Sequence, residues 1–83
     1  MNLSIATWNV NGIRARKDIF LDWLKVNSPD ILCLQEIKCI NDDFPNQEIE
    51  EFGYKCYVNG QKSFNGVAIL SKYDLTKITF NLN

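Results

Sequence analysis

Apolar residues gather in short runs along this chain, and one long stretch between two of those runs carries helical periodicity instead. Leu3 to Trp8 is a breaker-free run containing Ile, Thr and Trp, which reads as a buried strand, and Asn9 follows at its carboxyl end. Ile31-Leu32-Cys33-Leu34 is a second such run, giving way to Gln35 and Glu36. Along Arg16 to Asn27, Ile19, Trp23 and Val26 form one helical row and Phe20 and Leu24 another, with Asp18, Asp22 and Lys25 towards the other side. This aromatic stripe is expected to pack into the core. Ser28-Pro29-Asp30 stops the helix, because the residue before a proline disfavours helical geometry. Val10 to Asp30 is too long for a hairpin and long enough for the crossover that parallel strands require. The pattern predicts a β-α-β unit.

The rest of the chain is read the same way. Asn41 to Asn46 is polar and irregular, with Pro45 suited to a first helical turn; Gln47 to Phe52 places Ile49 and Phe52 three apart and ends at Gly53, a plausible cap. Tyr54 to Val58 alternates as a strand, Asn59-Gly60 signals a turn, and Gln61 to Asn65 makes the connection longer than a two-residue hairpin. Gly66 to Leu70 and Leu75 to Phe80 are two further β-like runs. The expectation is an α/β (α+β) arrangement: one mixed β-sheet, parallel at its start and antiparallel in its extension, with two flanking helices.

Composition narrows the class. The chain has 83 residues, 46% hydrophobic and 12% aromatic, which is globular and leaves room for one domain at most. A domain of this size buries only about 60% of its unfolded surface, so its stability is marginal even when complete. The net charge of −1 provides no global attraction to nucleic acid, so any affinity for phosphate must be local. Met1-Asn2-Leu3-Ser4 lacks the positive start of a secretory signal, and no segment reaches the roughly 20 apolar residues of a membrane span. Cys33, Cys39 and Cys56 are an odd set without metal-binding spacing, expected to be reduced structural thiols in a cytoplasmic protein.

Candidate chemistry follows from the two strand ends. If the strands are parallel neighbours, Asn9 and Glu36 emerge at the same sheet edge, where open α/β sheets bind ligands. An amide beside a carboxylate, with Asn11 and Gln35 in reach, is the hard, oxygen-rich setting that Mg²⁺ accepts while keeping several waters. The chain has no His, and its thiols offer no zinc-finger spacing. A plainer account exists for each residue: Asn9 and Asn11 around Gly12 also suit a tight turn, and Glu36 also suits the first solvated position beyond a strand. Arg14, Arg16 and Lys17 form a basic cluster beside these strand ends, either a solvated helix start or a local phosphate contact. Asp42, Asp43, Glu48, Glu50 and Glu51 make the following segment acidic, and it is expected to face away from any such phosphate. Lys62-Ser63-Phe64-Asn65-Gly66 joins an amine, an aromatic and small residues, either a hairpin tip or a set able to touch phosphate and stack on a base.

The segments Trp8-Asn9-Val10-Asn11-Gly12-Ile13-Arg14-Ala15-Arg16, Leu34-Gln35-Glu36-Ile37-Lys38 and Gly66-Val67-Ala68-Ile69-Leu70-Ser71-Lys72 together resemble the first three motifs of the exonuclease III (apurinic/apyrimidinic endonuclease) family of the endonuclease/exonuclease/phosphatase superfamily. The first two motifs are specific as a pair; the third alone is weak. The resemblance implies part of a four-layer sandwich in which two sheets pack face to face. It implies cleavage of a phosphodiester beside an abasic sugar and removal of nucleotides from 3′ ends, on double-stranded DNA, with Mg²⁺ or possible substitution by Mn²⁺. Glu36 would bind the metal and Asn9 would hold its shell or a neighbouring carboxylate, with Asn11 supporting; Lys38 would add positive charge or orient Glu36. Arg14 and Ala15 match positions that approach the DNA backbone, and Phe64 and Asn65 match positions that face the DNA.

The family's remaining machinery comprises an Asp that orients or activates water, a nearby Asn, a pocket Tyr and an Asp-His pair. Nothing between Met1 and Asn83 matches it, Tyr73 and Asp74 included. Residues 1–83 are therefore expected to be an incomplete, amino-terminal part of the domain, inactive alone, with its inner sheet face uncovered. Two alternatives stand beside this one: a non-catalytic half that complements a separate carboxyl-terminal half, and a fragment of a related metal-dependent phosphatase, against which Arg14 and Arg16 weigh weakly.

Overall fold

The computed structural model describes residues 3–61 and 65–75, and within them the two apolar runs pair as parallel strands. Strand β1 spans Ile5–Asn9 and β2 spans Ile31–Gln35, joined by helix α1, Lys17–Asn27. The register sets Ile5 opposite Ile31 and Asn9 opposite Gln35. Both strands thus run on to a polar last residue, and the two polar ends lie side by side. A 3-10 turn at Asn41–Asp43 and the short helix α2, Asn46–Glu50, precede β3, Lys55–Asn59, and β4, Val67–Ser71. β4 pairs antiparallel with both β2 and β3, so the sheet order is β1-β2-β4-β3. The expected run from Leu75 to Phe80 lies almost wholly outside the described residues, and Leu75 itself is not in a strand.

Alternation along the strands sends Ala6 and Trp8, Leu32 and Leu34, Ala68 and Leu70, and Cys56 and Val58 to one face. Phe20 and Leu24 of α1 and Ile49 of α2 close over that face with Val10, Ile13, Ile37, Phe44 and Tyr54 to form the core. Trp8 anchors α1, its ring 5.5 Å from Phe20 and 5.1 Å from Trp23. Fully burying a side chain the size of Phe20 contributes about 1.5–3 kcal/mol, a large share of a small domain's stability. The opposite face carries Ile5, Thr7, Ile31, Cys33, Ile69 and Tyr57, half-buried or exposed, and both helices leave it open.

One expected helical row is only partly core: Trp23 packs against the core, but its two neighbours in the row do not. Ile19 is 69% and Val26 81% exposed, while Leu21 packs against the core. A single sheet beneath a helix covers an arc only a little wider than 100°, and the arc chosen here centres on Phe20 and Leu24. Helix α1 ends as expected before Pro29, with Ser28 in the left-handed region at φ 43° and its N–H bonded to the Leu24 carbonyl. Pro45 sits just ahead of α2 instead of in its first turn, and Phe52 lies beyond its end, exposed. The three thiols are free, and burial pushes Cys56 up to about 12, so its thiolate is not populated near neutrality.

Candidate functional site

Beyond Gln35 the chain leaves regular strand geometry but keeps its neighbours. Val10 N–H donates to the Gln35 carbonyl at 3.1 Å, Gly12 N–H to Glu36 at 2.8 Å and Ile13 N–H to Ile37 at 3.0 Å. On the other side Ile37 N–H donates to the Gly66 carbonyl at 3.1 Å and Lys38 N–H to Asn65 at 2.9 Å. Glu36 and Lys38 both adopt positive φ, 54° and 55°, with the buried Ile37 between them. Such backbones cost about 1–3 kcal/mol each for bulky residues and persist only when surrounded by bonds that enforce them. Here the enforcing bonds are the five just named. Gly66 is required for the approach: at φ 95°, an added Cβ would lie 2.8 Å from Ile37 Cγ1.

The alternating backbone turns both polar side chains outward while Ile37 plugs the core. Asn9 Nδ2 donates to Glu36 Oε2, and Asn9 Oδ1 accepts the Asn11 N–H at 3.1 Å. Lys38 Nζ donates to Asn11 Oδ1 at 2.5 Å and stands 3.9 Å from Glu36 Oε1. Arg16 Nη1 donates to the Asn11 carbonyl at 2.6 Å. Asn9, Asn11, Glu36 and Lys38 therefore form one polar cluster, and turn chemistry and cluster formation are the same event: Asn11, at φ 48°, makes the turn whose N–H fixes Asn9. Gln35 takes no part in it, its amide turning back to the Cys33 carbonyl. Asn65 contributes a backbone carbonyl to the Lys38 N–H, and Phe64 lies outside the described residues.

Arg14 and Ala15 line an open cavity of about 520 Å³ with Asn11, Gly12 and Lys38. The acidic segment does not face away from the basic cluster. Asp43 lies 3.6 Å from Arg14, and Glu48 accepts a 2.9 Å hydrogen bond from Lys17, because the short connection after Lys38 turns α2 back beside the start of α1. The Lys17 bond holds the Glu48 carboxyl below, and Glu48 holds the Lys17 ammonium above, its ordinary value. Exposed pairs of this kind contribute only about 0–1 kcal/mol, so they do not prevent Arg14, 61% exposed, from exchanging Asp43 for another anion. Two features escaped the sequence: the clasp of Glu36 to Lys38 between two loops, and the use of Arg16 as a loop tie. The polar-apolar-polar order of Glu36-Ile37-Lys38 was the available signal for the first.

Glu36 Oε1 has no hydrogen-bond donor among the described residues, and its carboxylate is partly exposed. It suits one position in a Mg²⁺ shell otherwise completed by water and phosphate oxygens. Asn9, with its amide nitrogen towards Glu36, suits positioning of that carboxylate better than direct ligation. Among the described residues no group of three His, Cys, Asp or Glu side chains could cage an ion.

The sequence profile described as "Endonuclease/Exonuclease/phosphatase family" matches residues 6–82. The chain is 36% identical over 86 residues to the DNA repair nuclease APEX1 of Danio rerio, covering 98% of this chain and 28% of that protein. It is 36% identical over 72 residues to exodeoxyribonuclease III of Haemophilus influenzae, covering 87% of this chain and 27% of that one. An AP endonuclease from Archaeoglobus fulgidus superposes with a TM-score of 0.90 at 46% identity, covering 99% of this chain and 32% of that structure. The chain thus spans little more than a quarter of the length of these two curated relatives.

Proposed function

This chain belongs to the endonuclease/exonuclease/phosphatase family, on its exonuclease III side, and we propose that it supplies the amino-terminal part of a Mg²⁺-dependent DNA-repair phosphodiesterase that is inactive without further chain. The observation that carries this reading is the convergence of Asn9, Asn11, Glu36 and Lys38 at the carboxyl ends of a parallel strand pair, beside an exposed arginine. Asn9 holds one oxygen of Glu36 and leaves the other for a metal ion. Lys38 adds positive charge against a phosphate without bonding the carboxylate. Arg14 and the Ala15 backbone receive the DNA strand through its phosphates, which fix register without reading sequence. A divalent ion bound at Glu36 supplies charge stabilisation of the phosphate and its leaving oxygen. The substrates proposed are double-stranded DNA carrying abasic sites or 3′ ends, in keeping with relatives named as a DNA repair nuclease and an exodeoxyribonuclease.

The open sheet face supports a second reading, in which the chain is one half of a split enzyme and a separate carboxyl-terminal half covers that face. One experiment serves both. The purified chain is assayed with Mg²⁺ on an abasic-site duplex, alone and mixed with the carboxyl-terminal portion of an exonuclease III-type relative. No cleavage alone, and chelator-sensitive cleavage in the mixture that falls at least a hundredfold in Glu36→Gln, is the expected result, the size seen on losing a group that stabilises transition-state charge being about 10²–10³. Robust cleavage by the chain alone refutes its inactivity. Cleavage by the mixture that Glu36→Gln leaves intact refutes the role of Glu36, and failure to co-fold removes the split-enzyme reading.

A further inference from the structure

Arg16 belongs by sequence to the basic cluster and is exposed, but one guanidinium nitrogen is turned back onto the chain. Its Nη1 donates at 2.6 Å to the Asn11 carbonyl, a charge-assisted bond across Gly12, at which an added Cβ would lie 3.8 Å from the same Nη1. The carbonyl it holds belongs to a left-handed residue followed by a left-handed glycine, φ 48° and 95°; the N–H of the same peptide donates to the Glu36 carbonyl at 2.8 Å, and the bond to its carbonyl comes from Arg16. The side chain of that same residue takes the Lys38 ammonium at 2.5 Å. That grip matters because the ammonium then stops 3.9 Å from Glu36 Oε1, beyond hydrogen-bonding distance. Without Asn11 in place, an approach of about 1 Å would turn this loose pair into a direct ammonium–carboxylate bond, the stronger charge-assisted kind.

We propose that Arg16 is a positioning residue for the metal site: by tying the Asn11 carbonyl it keeps Lys38 on Asn11 and off Glu36, leaving a carboxylate oxygen open to a divalent cation. The inference rests on the reading of Glu36 as the metal ligand, and it assigns to Arg16 a task distinct from phosphate contact. It separates two arginines that the sequence presents as equivalent: among the described residues Arg14 pairs with the exposed carboxylate of Asp43, whereas Arg16 bonds the Asn11 carbonyl of the loop.

The test titrates the intact chain with Mn²⁺ alone, reading free ion by electron paramagnetic resonance, for wild type, Glu36→Gln, Arg16→Met, Lys38→Met and the Arg16→Met/Lys38→Met pair. Wild type binds and Glu36→Gln does not. Arg16→Met weakens binding by roughly tenfold, the lower end of what losing a group behind a metal ligand costs. Lys38→Met removes the competing ammonium, so the double variant binds within about twofold of Lys38→Met, whereas independent, additive effects would leave it roughly tenfold weaker. That recovery cannot come from restored folding, since the double variant still lacks Arg16. Arg16→Met binding like wild type overturns the inference, and so does a double variant as weak as Arg16→Met, which would mean Arg16 only supports the loop. Binding that Glu36→Gln leaves unchanged overturns the metal reading itself and this inference with it.

Discussion

Two carboxylates flank β2, and their surroundings assign them different work. Asp30, just before the strand, accepts the Ser4 N–H at 2.8 Å and the Ser4 hydroxyl at 3.2 Å, tying the starts of β1 and β2 together. Glu36, just after it, receives one side-chain donor and keeps an oxygen free of donors among the described residues. Both Ser4 donors reach Asp30 Oδ2, so each acid keeps one oxygen without a donor among the described residues; Asp30 ties two strand starts together, whereas Glu36 stands beside Asn9 and Lys38 at the strand ends. The hydrogen bonds from Ser4, backbone first, hold the Asp30 carboxyl below its ordinary value of 3.8. A depressed folded-state value means that its stabilisation is present above the unfolded value and lost as pH falls through the folded one. Wild type is therefore expected to lose stability as pH drops below about 4, and Asp30→Asn, already uncharged, to lose less over that window, as urea midpoints at pH 7 and pH 3 would measure. Equal losses in the two proteins would refute the assignment. The sequence singles out Asn9 and Glu36 because they are the first and the second polar residue, respectively, after an apolar run. The division of labour between Arg14 and Arg16 was not, since it depends on which way a loop carbonyl points.

Helix α1 shows how an element inherits its orientation. Its apolar residues cover more of its circumference than one sheet face can bury, so periodicity identified the helix but could not choose between two adjacent rows. Packing of Trp8 against Phe20 and Trp23 chose an arc that takes Trp23 from one row with Phe20 and Leu24 from the other and leaves Ile19 and Val26 outside. Phe20→Ala should cost about 3–5 kcal/mol through cavity formation and leave little of a domain worth roughly 0.05–0.15 kcal/mol per residue. Ile19→Ala, outside that arc, should stay within about 0.5 kcal/mol of wild type. Thermal unfolding followed by circular dichroism distinguishes them, and a comparable loss in Ile19→Ala would contradict the orientation described. The acidic α2 segment teaches the same lesson: its charge was plain, but its place beside Arg14 and Lys17 follows from the turn that returns it to α1.

The whole molecule is a sheet with helices on one face only among its described residues. Across the other face run Thr7, Cys33, Ile69 and Tyr57 in register, with Ile5 63% exposed nearby. An open apolar face of this kind drives association in water. Sedimentation velocity should show self-association of the chain rising with concentration, and Ile69→Lys, at the centre of the face, should shift it towards monomer without lowering helix content. A wild-type chain that stays monomeric throughout would refute this. Apolar runs, one helical period and a proline stop sufficed by themselves to determine the β-α-β unit, the antiparallel extension and the two polar strand ends, because strand and helix periods are local properties of the chain. Only the tertiary structure decided which arc of the helix is buried, that Glu36 and Lys38 are clasped in left-handed backbone, and that one arginine pairs with Asp43 while its neighbour holds a loop. Those choices rest on tertiary contacts such as Trp8 with Phe20, Asn9 with Glu36 and Arg14 with Asp43, and on the direction of the Asn11 carbonyl that Arg16 meets, none of which a hydrophobic period encodes.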